Sequence, residues 1–325
     1  MNLKSYSERS TLVTILSFFT LTTLLILITV PYNDFSISAN NTLINLTDFN
    51  LNNLTTSNNN NLLILKILAY SLESKLQGAA SMLEFASNMP EMKSMPNTKL
   101  LNTTMDSLHG IPSDSDIQKR IIAQKVISYY PVIAGISFIL PNGDTYFMEP
   151  YSLQSNQTKN NLGFREYFKG ARASNDTYLG DIITSTSSGL KRAIIAVPVF
   201  ANSDSNFNEG SNLTGIIAGS INLDMLNKEL QSYNIPQGQR VVLVDSNDTK
   251  IADSEIRNFV DDNESFSNLK SYRNAIEGKS GSLLEKVNQE MMLVSYYPMD
   301  TLQNRWAILL MHPIGNSSNN FIGDN

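Results

Sequence analysis

The hydrophobic pattern changes its period several times along the chain, and each change marks an element. Positions 11–30 read TLVTILSFFTLTTLLILITV, twenty residues without a charge. A helix of that length reaches ~30 Å, the thickness of a bilayer core. From position 62 the apolar residues recur at spacings of three and four, at Leu65, Leu68, Leu72, Leu76, Ala79, Leu83 and Ala86. This spacing predicts one amphipathic helix that stops near Pro90 and packs on a sheet or on a partner helix. A second helix is predicted at 117–128. The period then shortens to that of strands. VIAGISFIL at 132–140 predicts a strand, PNGD at 141–144 a hairpin turn, and 145–148 the return. A short helix follows at 164–171, then strands at 180–185, 190–199 and 213–223, the last two separated by a polar loop at 202–211. After 236 the order recurs in smaller form. Strand 240–244, turn 245–248 and strand 250–252 precede a helix through Leu269, Tyr272 and Ile276, and strands follow at 281–286, 291–297 and 305–311. Strand, turn, strand, helix and meander, present twice, predict an α+β fold with two antiparallel-sheet modules.

The charges give the apolar run at 11–31 a direction. Lys4 and Arg9 precede it, and no Lys or Arg occurs from 32 to 61. The positive-inside rule then places 1–10 in the cytoplasm and the bulk of the chain outside the cell membrane. The length of the run favours a single uncleaved transmembrane anchor. A cleaved signal peptide, the alternative, has a shorter apolar region and a small-residue cleavage site, and it also puts the bulk outside. The segment 32–61 carries 11 of the chain's 38 Asn and cannot bury a core, so it is expected to be a flexible linker. An ectodomain is expected over 62–312, divided into a long helix and connection (62–131), a first module (132–235) and a second (236–312), with a polar tail at 313–325. N-x-S/T sequons at Asn40, Asn45, Asn53, Asn102, Asn156, Asn175, Asn212, Asn247, Asn263 and Asn316 are compatible with a glycosylated exterior.

Composition narrows the chemistry. Of 325 residues 42% are apolar and 17% charged, and the net charge is −6. A core is affordable, and a nucleic-acid partner is excluded for want of Lys and Arg. There is no Cys, and the two histidines are His109 and His312. Disulfides, zinc ribbons and thiol nucleophiles are excluded, no catalytic motif is present, and neither enzymatic activity nor a cofactor is expected. Arg165 stands beside Tyr167 and Phe168. A guanidinium fork suits a carboxylate or phosphate, and the rings would wall a pocket. A solvated helix residue is the alternative.

Four stretches together resemble the double Cache family of extracytoplasmic sensor domains. They are the long helix before the first sheet, FREYFKGA at 164–171, the strand pair over 178–200 ending in AVPV, and the second-module series VVLVD (241–245), EGKSGSL (277–283), LVSYYP (293–298) and RWAILL (305–310). The resemblance covers about 62–312. It implies two PAS-like modules on one long helix, with a ligand in the membrane-distal first module and a membrane-proximal second module acting as spacer. It also implies that Arg165, Tyr167 and Phe168 cover the pocket. The family's amino-acid-binding members place a Tyr and two Asp at positions that here fall on Ile183, Ser185 and Ser220. Without those carboxylates an ammonium lacks its counter-charge. Arg165 with Ser185, Ser187 and Ser220 suits a carboxylate or a neutral polar ligand. Tyr146 either lines the pocket floor or packs in the core, and Glu166 and Asp181 either turn inward or are solvated. The expectation is a membrane-anchored small-molecule sensor that signals through a partner protein, since no output domain is visible. The alternatives are an inert surface protein reusing the scaffold and the truncated sensory half of a chemoreceptor or sensor kinase. The Leu65–Ala86 stripe would support a homodimer through parallel helices, or be covered by the chain's own sheet.

Overall fold

The computed structural model describes residues 46–201, 213–255 and 264–314. The expected anchor at 11–31, the loop at 202–211 and most of the tail at 313–325 lie outside the described residues. Among the described residues no helix is long and apolar enough to cross a membrane. The chain divides into two compact units, Met1–Asn50 and Leu51–Asn325. Of the first, only the opening of a helix is described.

That helix, α1, runs over Leu46–Ser87. It therefore takes in 46–61, which the sequence reading gave to a flexible linker. The reason is cooperativity: nucleation is the costly step, and a helix fixed by packing further on extends at little cost through weak helix formers. Its stripe is fully buried at Leu65, Leu68, Leu72, Leu76, Ala79 and Leu83, against the chain's own sheets. Short helices follow at Pro90–Lys93 (α2), Leu101–Leu108 (α3) and Ile117–Tyr129 (α4).

The first module contains β1 (Ile133–Ile139), β2 (Thr145–Glu149), α5 (Tyr151–Ser155), α6 (Glu166–Ser174), β3 (Tyr178–Leu179), β4 (Ile183–Thr184), β5 (Lys191–Phe200), β6 (Leu213–Ile221) and α7 (Leu223–Ser232). Its antiparallel sheet has the order β2-β1-β6-β5-β3, with β4 also on β5. Of the strand expected at 180–185 only β4 forms, and β3 stands before it. Between them the Asp181 N–H donates to the Glu166 carboxylate at 3.3 Å instead of to a neighbouring strand. The strand expected to run to 223 ends at Ile221, and Leu223, Leu226 and Leu230 form the buried face of α7.

The second module contains β7 (Arg240–Val244), β8 (Lys250–Asp253), α8 (Lys270–Ile276), β9 (Gly281–Val287), β10 (Glu290–Thr301) and β11 (Asn304–Pro313). Its sheet has the order β8-β7-β11-β10-β9. Matched strand for strand, the two sheets share one order, so the internal repeat is real.

Alternation along the strands assigns the faces. Trp306, Ile308 and Leu310 of β11 join the core around α1, whereas Ala307, Leu309 and Met311 pack with Tyr272 and Ala275 of α8. In the first module Ala193, Ile195 and Val197 of β5 meet the α1 core, and Ile194 and Ala196 face α6. One continuous core therefore runs along α1 beneath both sheets. Gly219 of β6 sits where a Cβ would lie 2.5 Å from Leu83 Cδ1, so the helix approaches this sheet as closely as glycine permits.

The modules meet where α7 packs on β8, with the Asp253 N–H donating to Asn227 Oδ1 at 2.7 Å, and also at a clasp beside the pocket. The Gln303 side chain, in the β10–β11 turn, accepts from the Leu179 N–H at 3.0 Å and donates to the Leu179 carbonyl at 2.6 Å. Asn304 Nδ2 donates to the same carbonyl at 2.8 Å. A side-chain amide thus completes the edge of β3 where the pocket wall begins.

Candidate ligand-binding site

The face of the first sheet turned away from α1 forms the floor of a cavity. In register, Met148 of β2 lies beside Ser137 of β1, Ser137 beside Ala218 of β6, and Ser220 of β6 beside Ile194 of β5. Arg165 and Tyr167 close it from the start of α6, Leu153 of α5 borders one side, and 183–188 form the remaining wall. The empty space is about 620 Å³ with its open mouth included.

The wall is held by its own hydrogen bonds. Ser185 Oγ accepts from the N–H groups of Ser187 and Ser188 at 3.3 and 3.2 Å, and its backbone N–H donates to Leu190 at 2.9 Å. Thr158 donates to the Thr186 carbonyl through both its N–H and its hydroxyl, each at 3.1 Å. Ser185 therefore builds the turn as well as lining the cavity.

Arg165 immediately precedes α6, in extended backbone conformation. Its Nη2 donates to the Thr184 carbonyl at 3.0 Å, and its guanidinium lies 4.9 Å from the centre of the Phe164 ring. Its Nε is buried and has no hydrogen-bond partner. A buried donor left unpaired costs about 1–3 kcal/mol, which an arriving acceptor relieves. Tyr167 is buried, and burial pushes its phenol up to about 12, with the Arg165 charge opposing. It remains a neutral hydroxyl at any physiological pH.

Of the expected site residues, Arg165, Tyr167, Ile183, Ser185, Ser187 and Ser220 come together around this cavity. Two do not. Phe168 packs beneath α6 with Ile139, Leu162 and Ile194. Tyr146 is fully buried in the α1 core, edge-on to Phe138 and Phe147, and its hydroxyl donates to Asp116 at 3.0 Å while accepting from the Asn97 N–H. The cause is a β-bulge. Phe138 pairs with Phe147 and Ile139 with Thr145, so Tyr146 is an extra residue and loses its place in the alternation. Glu166 and Asp181 are exposed, and neither lines the cavity.

The sequence reading missed Ser137, Thr186, Ser188 and Arg192, all of which line the cavity. Arg192 was detectable. It lies two residues before Ile194 on β5 and so shares the cavity-facing side. Burial lowers its pKa and the field of Asp224 raises it. Among the described residues no group of three or more acidic or histidine side chains could hold a metal ion.

Two sheets of one strand order on a shared helix, with a hydroxyl-lined, cationic cavity in the first module, define a tandem-module ligand-binding domain. The double-Cache model of the family described as Cache domain matches residues 41–320, and the chain belongs to this family. No curated protein sequence matches the chain. Among solved structures, the periplasmic sensory domain of the Campylobacter jejuni chemoreceptor Tlp1 aligns at 12% identity and a TM-score of 0.57, over 80% of this chain and 96% of that one. The ligand-binding domain of the Pseudomonas fluorescens chemoreceptor CtaA, in complex with L-isoleucine, aligns at 14% and 0.52, over 77% and 89%. An extracellular ligand-binding receptor from Desulfohalobium retbaense aligns at 13% and 0.54, and this chain spans only 39% of it. At these identities the likeness is one of fold.

Proposed function

We propose that the chain is an extracytoplasmic small-molecule sensor, anchored in the membrane by the apolar run at 11–31, that binds a carboxylate ligand in the first module and passes its occupancy to a signalling partner. The reading rests above all on Arg165, whose buried Nε faces no acceptor at the edge of a hydroxyl-lined cavity. A carboxylate oxygen supplies that acceptor, and a guanidinium recognises it with directional, charge-assisted hydrogen bonds. Ser185, Ser187, Ser220 and the neutral Tyr167 phenol accompany it as hydroxyls able to donate or accept. Among the described residues no Asp or Glu lines the cavity, so the ammonium of an ordinary α-amino acid finds no carboxylate among them. The chemoreceptor domains of the same fold support a sensory rather than a catalytic role, and an extracytoplasmic setting.

The test is a thermal-shift screen of the full chain in detergent micelles against carboxylates, amino acids, amines, nucleobases and sugars. A ligand at a hundred times its dissociation constant adds about 2.7 kcal/mol of stability, a shift of a few degrees. Arg165→Gln is expected to abolish the shift for the carboxylate hit while leaving the unliganded melting temperature within a few degrees. A hit that survives the substitution removes Arg165 from the site. A well-folded protein with no hit in any class removes the sensor reading and leaves an inert scaffold.

A further inference from the structure

The cavity holds a second cation that the reading above leaves unused. Arg192 lines it from β5, and among the described residues Arg192 makes no hydrogen bond and no ion pair within 4 Å. The acid whose field reaches it, Asp224, is exposed in the first turn of α7 and does not line the cavity. Among the described residues the Arg165 guanidinium has no carboxylate partner either, since its one hydrogen bond goes to a backbone carbonyl. The lining thus carries two guanidinium charges and no compensating acid. Two like charges drawn from water without a counter-ion are unfavourable, and elsewhere the molecule avoids this arrangement. Arg120 and Arg240, whose side chains are largely withdrawn from water, are each paired with a carboxylate.

We propose that the cavity takes a short dicarboxylate, one carboxylate on Arg165 and the other on Arg192, with the serine hydroxyls completing the oxygens' hydrogen bonds. The inference rests on the sensor reading and specifies its ligand. Three observations carry it. The charge of the wall matches a dianion, whereas a monoanion neutralises one guanidinium and a zwitterion brings a third cation beside two. The two arginines bracket the same short strand: Arg165 donates to the carbonyl of Thr184, and Arg192 is in register with Ile183, the preceding residue of β4. That closeness calls for a short spacer between the two anionic groups. Ile183 packs with Ile194 and Ala218 as an apolar stretch of the lining, which suits a hydrocarbon spacer better than the third oxygen-rich face of a phosphate.

The experiment is isothermal titration of the full chain in detergent with a nearly isosteric series: succinate, butyrate and 4-aminobutyrate. Malonate and glutarate vary the spacer, and inorganic phosphate serves as a compact dianion. The expected result is that one dicarboxylate binds about 10-fold to 100-fold more tightly than butyrate, the range of one charged hydrogen-bonded contact, and that 4-aminobutyrate binds more weakly still. Arg192→Gln should bring the dicarboxylate down close to the level of butyrate and weaken butyrate far less, while Arg165→Gln loses both. Arg192→Lys, which keeps the charge and the fold of the strand, should fall between wild type and Arg192→Gln. Butyrate or 4-aminobutyrate binding as tightly as the best dicarboxylate, phosphate binding more tightly than all three dicarboxylates, or a dicarboxylate affinity unmoved by Arg192→Gln would each overturn the proposal. If no dicarboxylate binds but another class gives an Arg165-dependent hit, this inference fails and the sensor reading stands.

Discussion

Arg120 and Arg192 are the same residue type put to opposite use. Arg120 is buried in α4 and spends its donors on the carbonyls of Ile111, Pro112, Ser115 and Met148, on Gln154 and on Glu149 at 2.6 Å, between the rings of Phe147 and Tyr151. Nothing is left for a ligand. The fate of Arg120 was not legible from the sequence, because a buried and a solvated arginine on a helix look alike until their surroundings are known. The family segment around Arg165 made that residue visible, and the strand alternation would have revealed Arg192. The charged cluster of the second module gives a prediction at this scale. Arg240 and Lys250 both bond Asp253 and Glu264, with Lys250 Nζ at 3.0 and 3.1 Å from the two carboxylates. Burial alone would raise both carboxyls, yet the two cations hold them below their ordinary 3.8 and 4.5. The unfolded chain therefore binds more protons than the folded one in this range, and stability rises with pH there. The contribution is complete above about pH 4.5 and is lost as pH falls through the lowered folded values. Urea midpoints should fall steadily below pH 4.5, and Arg240→Gln should flatten that slope. An equally steep slope in the variant would show that other groups govern acid stability.

Among the elements, those with a strong period were readable and those that break it were not. The α1 stripe, β1, β5 and β11 follow from the pattern alone, because α1 turns one apolar stripe to the core and the strands are apolar runs buried on both faces. Tyr146 was not readable, since a bulge changes which face a residue takes without leaving a mark in the hydrophobic pattern. Leu223 of α7 was absorbed into the preceding strand, although Asn222 before it is a residue type that commonly starts a helix. The contact between α1 and β6 can be tested directly. Gly219→Ala places a methyl group 2.5 Å from Leu83 Cδ1 in a filled core, and overpacking of this kind costs about 1–3 kcal/mol. The measurement is the denaturant midpoint of the variant. Pairing it with Leu83→Val should recover part of the loss, and a neutral Gly219→Ala would mean that α1 moves off the sheet at little cost.

At the scale of the whole molecule, the repeated strand order makes the modules equivalent in architecture, while side chains make them different in use. Tyr272 and Ala275 fill the face of the second sheet that the first module keeps open for a cavity. The clasp between Gln303 and Leu179 then acquires a thermodynamic meaning. It fastens the second module to the strand from which the wall at 183–188 departs, so any ligand that favours one arrangement of that wall also favours one state of the clasp. Such linkage is reciprocal: the free energy by which ligand tightens the clasp equals that by which the clasp tightens the ligand. Gln303→Ala, far from the ligand itself, should weaken ligand affinity several-fold. Bound ligand should slow hydrogen exchange at the Leu179 N–H in the wild type and leave the variant unaffected. Equal affinities in the two proteins would uncouple the modules. Unequal ones would make a single glutamine amide one place where occupancy of the first module becomes a force on the second.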